Sequence, residues 1–413
     1  MKIAEINLKI IPDSRGQDTL EAVMKSGSFS VISSVPAGKS RGKHEVFVLE
    51  PSKALVKFNK IKKEILEREF NNQKEFDNFL ISLDGAKNKK NLGGNLILVL
   101  SLAFSRLMAK SENLELFQYI RSIAQLPITN YLPKPIFNVI NGGAHAKNKL
   151  DFQEFQIIPE VNDYKIALGL GQEFYRKLKE FLENKFDNGN VSLGDEAGFS
   201  APFKNNEEAI EILAEVIAKY NYPLRIGLDA AASQFYLKSQ ISNLKSKGAY
   251  IIDDKKYSAE QLKDLYLKLI DAYDILSIED PFNEEDFDMF ASLVTQINAD
   301  SKQINADKQI LIIADDLTTT NLNRLKIAVN KKSGNTILIK PNQIGTLTET
   351  LKVVDFAHQN SWQTIVSHRS GETMDDFIAD LAVGVDAWGI KSGAPASPER
   401  MVKYNRLLEI NKC

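Results

Sequence analysis

The chain has 413 residues, of which 43% are hydrophobic and 26% charged, with 52 Lys and Arg set against 54 Asp and Glu for a formal charge of −2. These proportions exclude bulk disorder, and the lack of a basic surplus argues against a dedicated nucleic-acid binder. The one cysteine, Cys413, permits no internal disulfide and no cysteine-based zinc site, as expected of a cytoplasmic protein. The longest apolar run, Leu96 to Phe104, falls well short of the roughly 20 residues of a membrane span, and Met1-Lys2-Ile3-Ala4-Glu5 has no secretory pattern.

In chain order, apolar and polar residues alternate from Lys2 to Leu8, the period of a half-buried strand. A Gly/Ser-rich, basic connection follows at Pro36 to Lys43. Helical spacing then runs from about Lys53 to Leu80 and again from Asn95 to Lys110. Strands followed by helices predict a separate α+β domain over residues 1–125. After Pro133 and Pro135, in residues 126–413, short β-rich runs alternate with helical patterns. The predicted strands are Leu224–Ala230, Ile275–Ile278, Ile310–Ala314, Thr336–Ile339, Thr364–Ser367 and Trp388–Ile390, with further strand-like sequence from Phe155 to Pro159. Ser258 with Gln261 and Thr346 with Glu349 read as helix-capping boxes between them. Nearly all-apolar strands in repeated βα units predict an α/β fold with a parallel sheet covered on both faces. A closed (β/α)8-like barrel suits the number of units, and an open doubly wound sheet is the alternative.

The residues that end these strands carry the chemistry: Asp229, Glu279-Asp280, Asp315-Asp316, Lys340, His368-Arg369 and Lys391. In a barrel all of them point into one mouth. Asp229, Glu279 and Asp315 converging there would repel one another unless a cation joins them, and hard oxygen donors favour Mg²⁺ or a similar ion. Lys340, Arg369 and Lys391 form a cationic group suited to an anionic substrate, with Arg369 able to hold a phosphate bidentately. Neighbouring positive charges would make Lys340 or Lys391 a neutral base. A salt-bridge network that only neutralises the mouth is the competing account. Neither a P-loop nor a dinucleotide fingerprint is present.

These motifs resemble the enolase family, over nearly the whole chain from Asp13-Ser14-Arg15-Gly16 to Lys403-Tyr404-Asn405-Arg406. The similarity is carried by Asn138 to His145, Asp151-Phe152-Gln153-Glu154-Phe155, Gly194-Asp195-Glu196, Ser277-Ile278-Glu279-Asp280, Asp315-Asp316-Leu317-Thr318, Leu338 to Gly345, Ser367 to Glu372 and Ile390-Lys391-Ser392-Gly393. The resemblance implies an enolase-type barrel behind a smaller N-terminal domain, and Mg²⁺-dependent interconversion of 2-phosphoglycerate and phosphoenolpyruvate in glycolysis and gluconeogenesis. It assigns Asp229, Glu279 and Asp315 to a first Mg²⁺ and Ser40, on a closing loop, to a second that arrives with substrate. It makes Lys340 the base at carbon 2 and Glu196 the acid for the departing hydroxyl, which suits Glu196 if burial raises its pKa. Arg369 and Ser370 would bind phosphate and Lys391 the substrate carboxylate, with His145, Gln153, Glu154 and His368 completing the pocket. A small-molecule phosphorylated acid as partner and a homo-oligomer, dimer or octamer, are the further implications.

The chain departs from the family pattern at several positions. Gln17-Asp18, Lys39, Arg41, Ala197, Gln234 and Ser397 stand where other residues are usual, and the C-terminus after Ile410 is short. None of these removes an assigned group. The alternatives to this activity are a lyase of the same superfamily acting on another acid and a weakly active paralogue with a binding role.

Overall fold

The computed structural model describes residues 1–39, 42–127, 132–238, 248–304 and 309–412. The alternation at the start of the chain forms β1 (Glu5–Pro12), which pairs antiparallel with β2 (Asp18–Ser26), itself antiparallel to β3 (Phe29–Ser34). Helical spacing over Lys53–Leu80 resolves into two helices, α1 (Pro51–Glu67) and α2 (Gln73–Asp84). The chain is redirected between them at Asn72, whose side chain caps α2 by accepting from the Glu75 N–H. α3 (Gly94–Ser111) is apolar on every side and buried from Gly94 to Ser105. It packs on β2 and β3 with one face and on the barrel with another, as an all-round hydrophobic helix must. α4 (Leu116–Ile123) follows and packs against the barrel helix Phe377–Gly384.

The eight barrel strands are β4 (Lys134–Asn141), β5 (Glu154–Pro159), β6 (Leu224–Asp229), β7 (Ile275–Glu279), β8 (Leu311–Ala314), β9 (Thr336–Ile339), β10 (Gln363–Ser367) and β11 (Gly389–Lys391). β11 pairs parallel with β4, Gly389 opposite Lys134, so the sheet closes. The closed barrel is therefore the correct alternative, not the open sheet. Inside it Ile136, Ile158, Leu276, Ile313, Leu338 and Ile365 form a separate packed cluster.

One strand breaks the expected all-parallel arrangement. β5 runs antiparallel to both β4 and β6, because the short link from β4 contains no long crossover helix to bring the chain back to the same end. The first residue of β5, Glu154, therefore lies opposite Asp229, the last residue of β6, and faces the same mouth.

The two parts of the chain share polar contacts. The helix Leu347–Gln359 begins beneath the N-terminal domain. There the Leu347 N–H donates to Ser101 Oγ at 3.0 Å and the Thr348 N–H to Asp77 Oδ2 at 2.8 Å. Free N–H groups of one helix are thus satisfied by side chains of another domain. No helix among the described residues is long and apolar enough to cross a membrane.

Candidate active site

Every β-strand of the barrel except β5 delivers its carboxyl end to one mouth, and β5 delivers its amino end. Asp229 and Glu279 terminate β6 and β7, Asp315 follows β8, and Lys340 follows β9 as the cap of the turn Pro341–Ile344. His368, Arg369 and Ser370 follow β10, and Lys391 ends β11. The resulting cleft, about 500 Å³, is lined by His145, Gln153, Glu154, Glu196, Asp229, Asp315, Lys340, His368, Arg369, Ser370 and Lys391. Glu279 is buried and does not line the cleft, but both of its carboxylate oxygens accept from Lys391 Nζ. Ser40 lies outside the described residues.

One side of the cleft is built around Glu196, 2% exposed. Its carboxylate stands 3.4 Å from His145 Nδ1 and 3.4 Å from His368 Nε2, and Asn138 Nδ2 donates to it at 2.9 Å. Burial pushes Glu196 up, but the two imidazoles and Arg400 outweigh it and hold the carboxyl well below its usual range. The condition set for an acid role, a Glu196 pKa raised by burial, is therefore not met by Glu196 itself. The proton of the neighbouring pair belongs instead to Glu154, pushed up to about 8 by burial and by the Glu196 charge against the pull of Lys391. Burial lowers both histidines, His368 to about 4, so both are neutral near pH 7.

On the other side, Lys391 Nζ lies 2.7 Å from Glu279, 3.1 Å from Glu154 and 3.9 Å from Asp229. Lys340 Nζ is paired directly with Asp315, whose second oxygen accepts from Gln343 Nε2 at 3.1 Å. Burial disfavours both ammonium groups, but Asp315 beside Lys340, and Glu154 and Glu279 beside Lys391, more than offset it and raise both lysines. Cationic neighbours alone therefore do not make either lysine neutral, because each has a closer carboxylate.

Acidic groups exceed these cations. Asp229 is pushed well up by burial and by Glu279, and Asp280 by burial and by Asp316 and Asp315. Asp316 is pushed up to about 7 by burial and the Asp315 charge. Asp280, Asp315 and Asp316 offer oxygens within 4.8 Å of one another. An all-oxygen donor set with surplus buried negative charge fits a hard divalent cation.

Several contributors were not singled out in the sequence. Glu45 meets Arg369 through two hydrogen bonds, to Nη1 at 3.0 Å and Nη2 at 3.1 Å, and Asn342 adds a third at 3.0 Å. Arg400, fully buried, donates to His368 Nδ1 at 2.6 Å and to the Arg369, Ser370 and Asp195 carbonyls. The unusual Gln234 donates to Gln153 Oε1 at 2.5 Å, which orients the Gln153 amide so that its Nε2 reaches Asp229 at 3.3 Å. Ala197 adopts φ +62°, a left-handed backbone that glycine takes without strain.

Fold and site together define a barrel enzyme with a carboxylate-rich mouth. The family model described as "Enolase, C-terminal TIM barrel domain" matches residues 129–413, and that described as "Enolase, N-terminal domain" matches residues 3–120. The chain is similar to the enolase of Sulfurisphaera tokodaii, with 41% identity covering 99% of this chain and 95% of that one. It is 40% identical to the enolase of Aeropyrum pernix, over 96% of this chain and 91% of that one, and 39% identical to enolase B of Dictyostelium discoideum, over 100% and 95%. The chain belongs to the enolase family, and it is an enzyme of that family, a phosphopyruvate hydratase.

Proposed function

We propose that the chain carries out the reversible, Mg²⁺-dependent dehydration of 2-phosphoglycerate to phosphoenolpyruvate as a cytoplasmic step of glycolysis and gluconeogenesis. The observation that carries this reading is a single cleft in which Lys340 faces the same space as the buried Glu154–Glu196 pair, beside the anion-binding Arg369 and Ser370. Asp229, Glu279 and Asp315, with Ser40 for a second ion, are the residues that would hold Mg²⁺. Bound there, Mg²⁺ would stabilise the charge that builds on the substrate carboxylate and neutralise the carboxylates that hold the lysines protonated.

The chain's own groups divide the remaining work. Arg369 and Ser370 bind the phosphate, and Lys391 binds the substrate carboxylate. Lys340 takes the proton from carbon 2, which is weakly acidic because its loss places a further charge beside a carboxylate. Glu196 delivers a proton to the hydroxyl leaving carbon 3. Glu154, holding its proton to about pH 8, keeps one proton on the carboxyl pair for that step. His145, His368 and Gln153 close the pocket around the leaving group. Residues 1–125 and 126–413 are the corresponding domain division, and a homo-oligomer is the expected assembly, checked by light scattering.

The test is to supply purified protein with 2-phosphoglycerate and follow phosphoenolpyruvate by ultraviolet absorbance. Product is expected with Mg²⁺, none after stringent chelation, and recovery when Mg²⁺ is restored. Product that persists after chelation overturns the metal assignment, and no product at high enzyme concentration overturns the reaction.

A further inference from the structure

Among the described residues, an ion pair between Lys39 and Asp195 spans the rim of the cleft. Lys39 Nζ lies 2.7 Å from Asp195 Oδ2. At its backbone Lys39 is fixed to the phosphate side: its N–H donates to Ser370 Oγ at 2.8 Å. Asp195 belongs to the opposite side. Its N–H donates to the His145 carbonyl at 3.1 Å, its own carbonyl accepts from Arg400 Nη2 at 3.1 Å, and Glu196 is the next residue. Buried Arg400 joins the two segments from below, its Nη2 donating to both the Asp195 and the Ser370 carbonyl, and the side chains of Lys39 and Asp195 add a second, exposed link between them at the rim.

We propose that Lys39 is a positioning residue, whose bridge to Asp195 tightens at the rim the span that Arg400 holds below between the phosphate-binding turn and the segment that carries Glu196. The inference rests on the assignment of phosphate to Arg369 and Ser370 and of proton delivery to Glu196. A substrate held by its phosphate presents its hydroxyl to Glu196 at a distance fixed by the gap between those two segments. A small increase in that gap lowers turnover of bound substrate with little effect on binding. The two side chains are 45% and 25% exposed, so the pair is screened by salt and its contribution is bounded.

The test compares Lys39→Met, Asp195→Asn and the double variant at saturating substrate and Mg²⁺. Each single variant is expected to lower kcat by about two- to fivefold, the ceiling for an exposed pair, with KM changed less than kcat. The double variant is expected to be no slower than either single one. Raising ionic strength should lower the wild-type kcat toward that of Lys39→Met and leave the variant's kcat unchanged. If Lys39 instead touched substrate as a cation, Asp195→Asn would leave kcat intact and Lys39→Met would act through KM, which overturns the proposal. Glu196→Gln is the control. Loss of turnover there with normal Lys39 and Asp195 variants sinks the bridge alone, whereas normal turnover in Glu196→Gln sinks the assignment beneath it.

Discussion

His368 Nε2 stands 3.4 Å from Glu196, while the other ring nitrogen, Nδ1, meets Arg400 Nη1 at 2.6 Å. A guanidinium has only protons to give, so Nδ1 accepts and the neutral ring carries its hydrogen on Nε2, facing the carboxylate. This fixes the tautomer of His368 from a residue on a distant helix. It also explains why a carboxyl as buried as Glu196 is held in its charged form. Glu196→Gln keeps the size of the side chain and an acceptor for Asn138 but removes the carboxylate through which the proton held by Glu154 would pass to the leaving hydroxyl. Its kcat is expected to fall by about 10²–10⁴-fold, as for loss of a general acid. Steady-state assay of phosphoenolpyruvate formation checks this, and a fall of less than tenfold would remove Glu196 from the acid role.

Lys340 sits at the end of β9, its N–H donating to Thr320 Oγ1 at 2.9 Å and its ammonium on Asp315. The backbone bond holds the strand end whatever side chain is present, so Lys340→Ala tests the ammonium rather than the fold. Turnover is expected to fall by at least about 10²-fold. Because Asp315 loses its only lysine partner among the described ion pairs, Mg²⁺ affinity is expected to rise rather than fall. Near-normal turnover in this variant would leave the base unassigned.

The strand ends could be read from the sequence because each apolar run stops at an ionisable residue, and a closed barrel gives that stop one meaning. The direction of β5 could not, since Phe155–Pro159 has the same composition whichever way it runs. Its reversal follows from a short link, and it is what brings Glu154 to the mouth. The lysine electrostatics were equally hidden. Lys340, Arg369 and Lys391 are recognisable as a cationic group, but the carboxylates that hold the two lysines charged come from β5, β7 and β8. Glu45 on Arg369 and Arg400 on His368 join residues hundreds and tens of positions apart, and no local pattern marks such partners. Ala197, by contrast, was legible as a departure, and its positive φ supplies the reason it matters.

At Ala197 the left-handed backbone costs an alanine about 1–2 kcal/mol relative to an allowed region. The loop holds it there because the Ala197 N–H donates to the Gly194 carbonyl at 3.1 Å and its carbonyl accepts from Tyr175 at 2.6 Å. Glycine relieves the strain but gives back part of the gain through a freer unfolded chain, about 0.4–1 kcal/mol. Ala197→Gly is therefore expected to stabilise the protein by about 0.5–1 kcal/mol net. Urea denaturation reads this as a higher midpoint with an unchanged slope, and a lower midpoint would show that packing of the methyl group outweighs the strain.

His358, on the helix Leu347–Gln359, has its Nε2 3.2 Å from Thr364 Oγ1. Burial lowers its pKa from 6.5, and Asp386 and Asp355 oppose this only in part. The unfolded chain therefore takes up the proton before the folded one does. The contribution is fully present above the unfolded value of about 6.5 and is lost as pH falls from there toward the folded value. One such group steepens the dependence of stability on pH by at most about 1.4 kcal/mol per pH unit within that window. His358→Gln keeps a polar partner for Thr364 but cannot titrate. Between pH 7 and pH 5 its stability is expected to fall less steeply than that of the wild type, with the two curves parallel above pH 7. Curves parallel across the whole range would mean that His358 has the same proton affinity folded and unfolded.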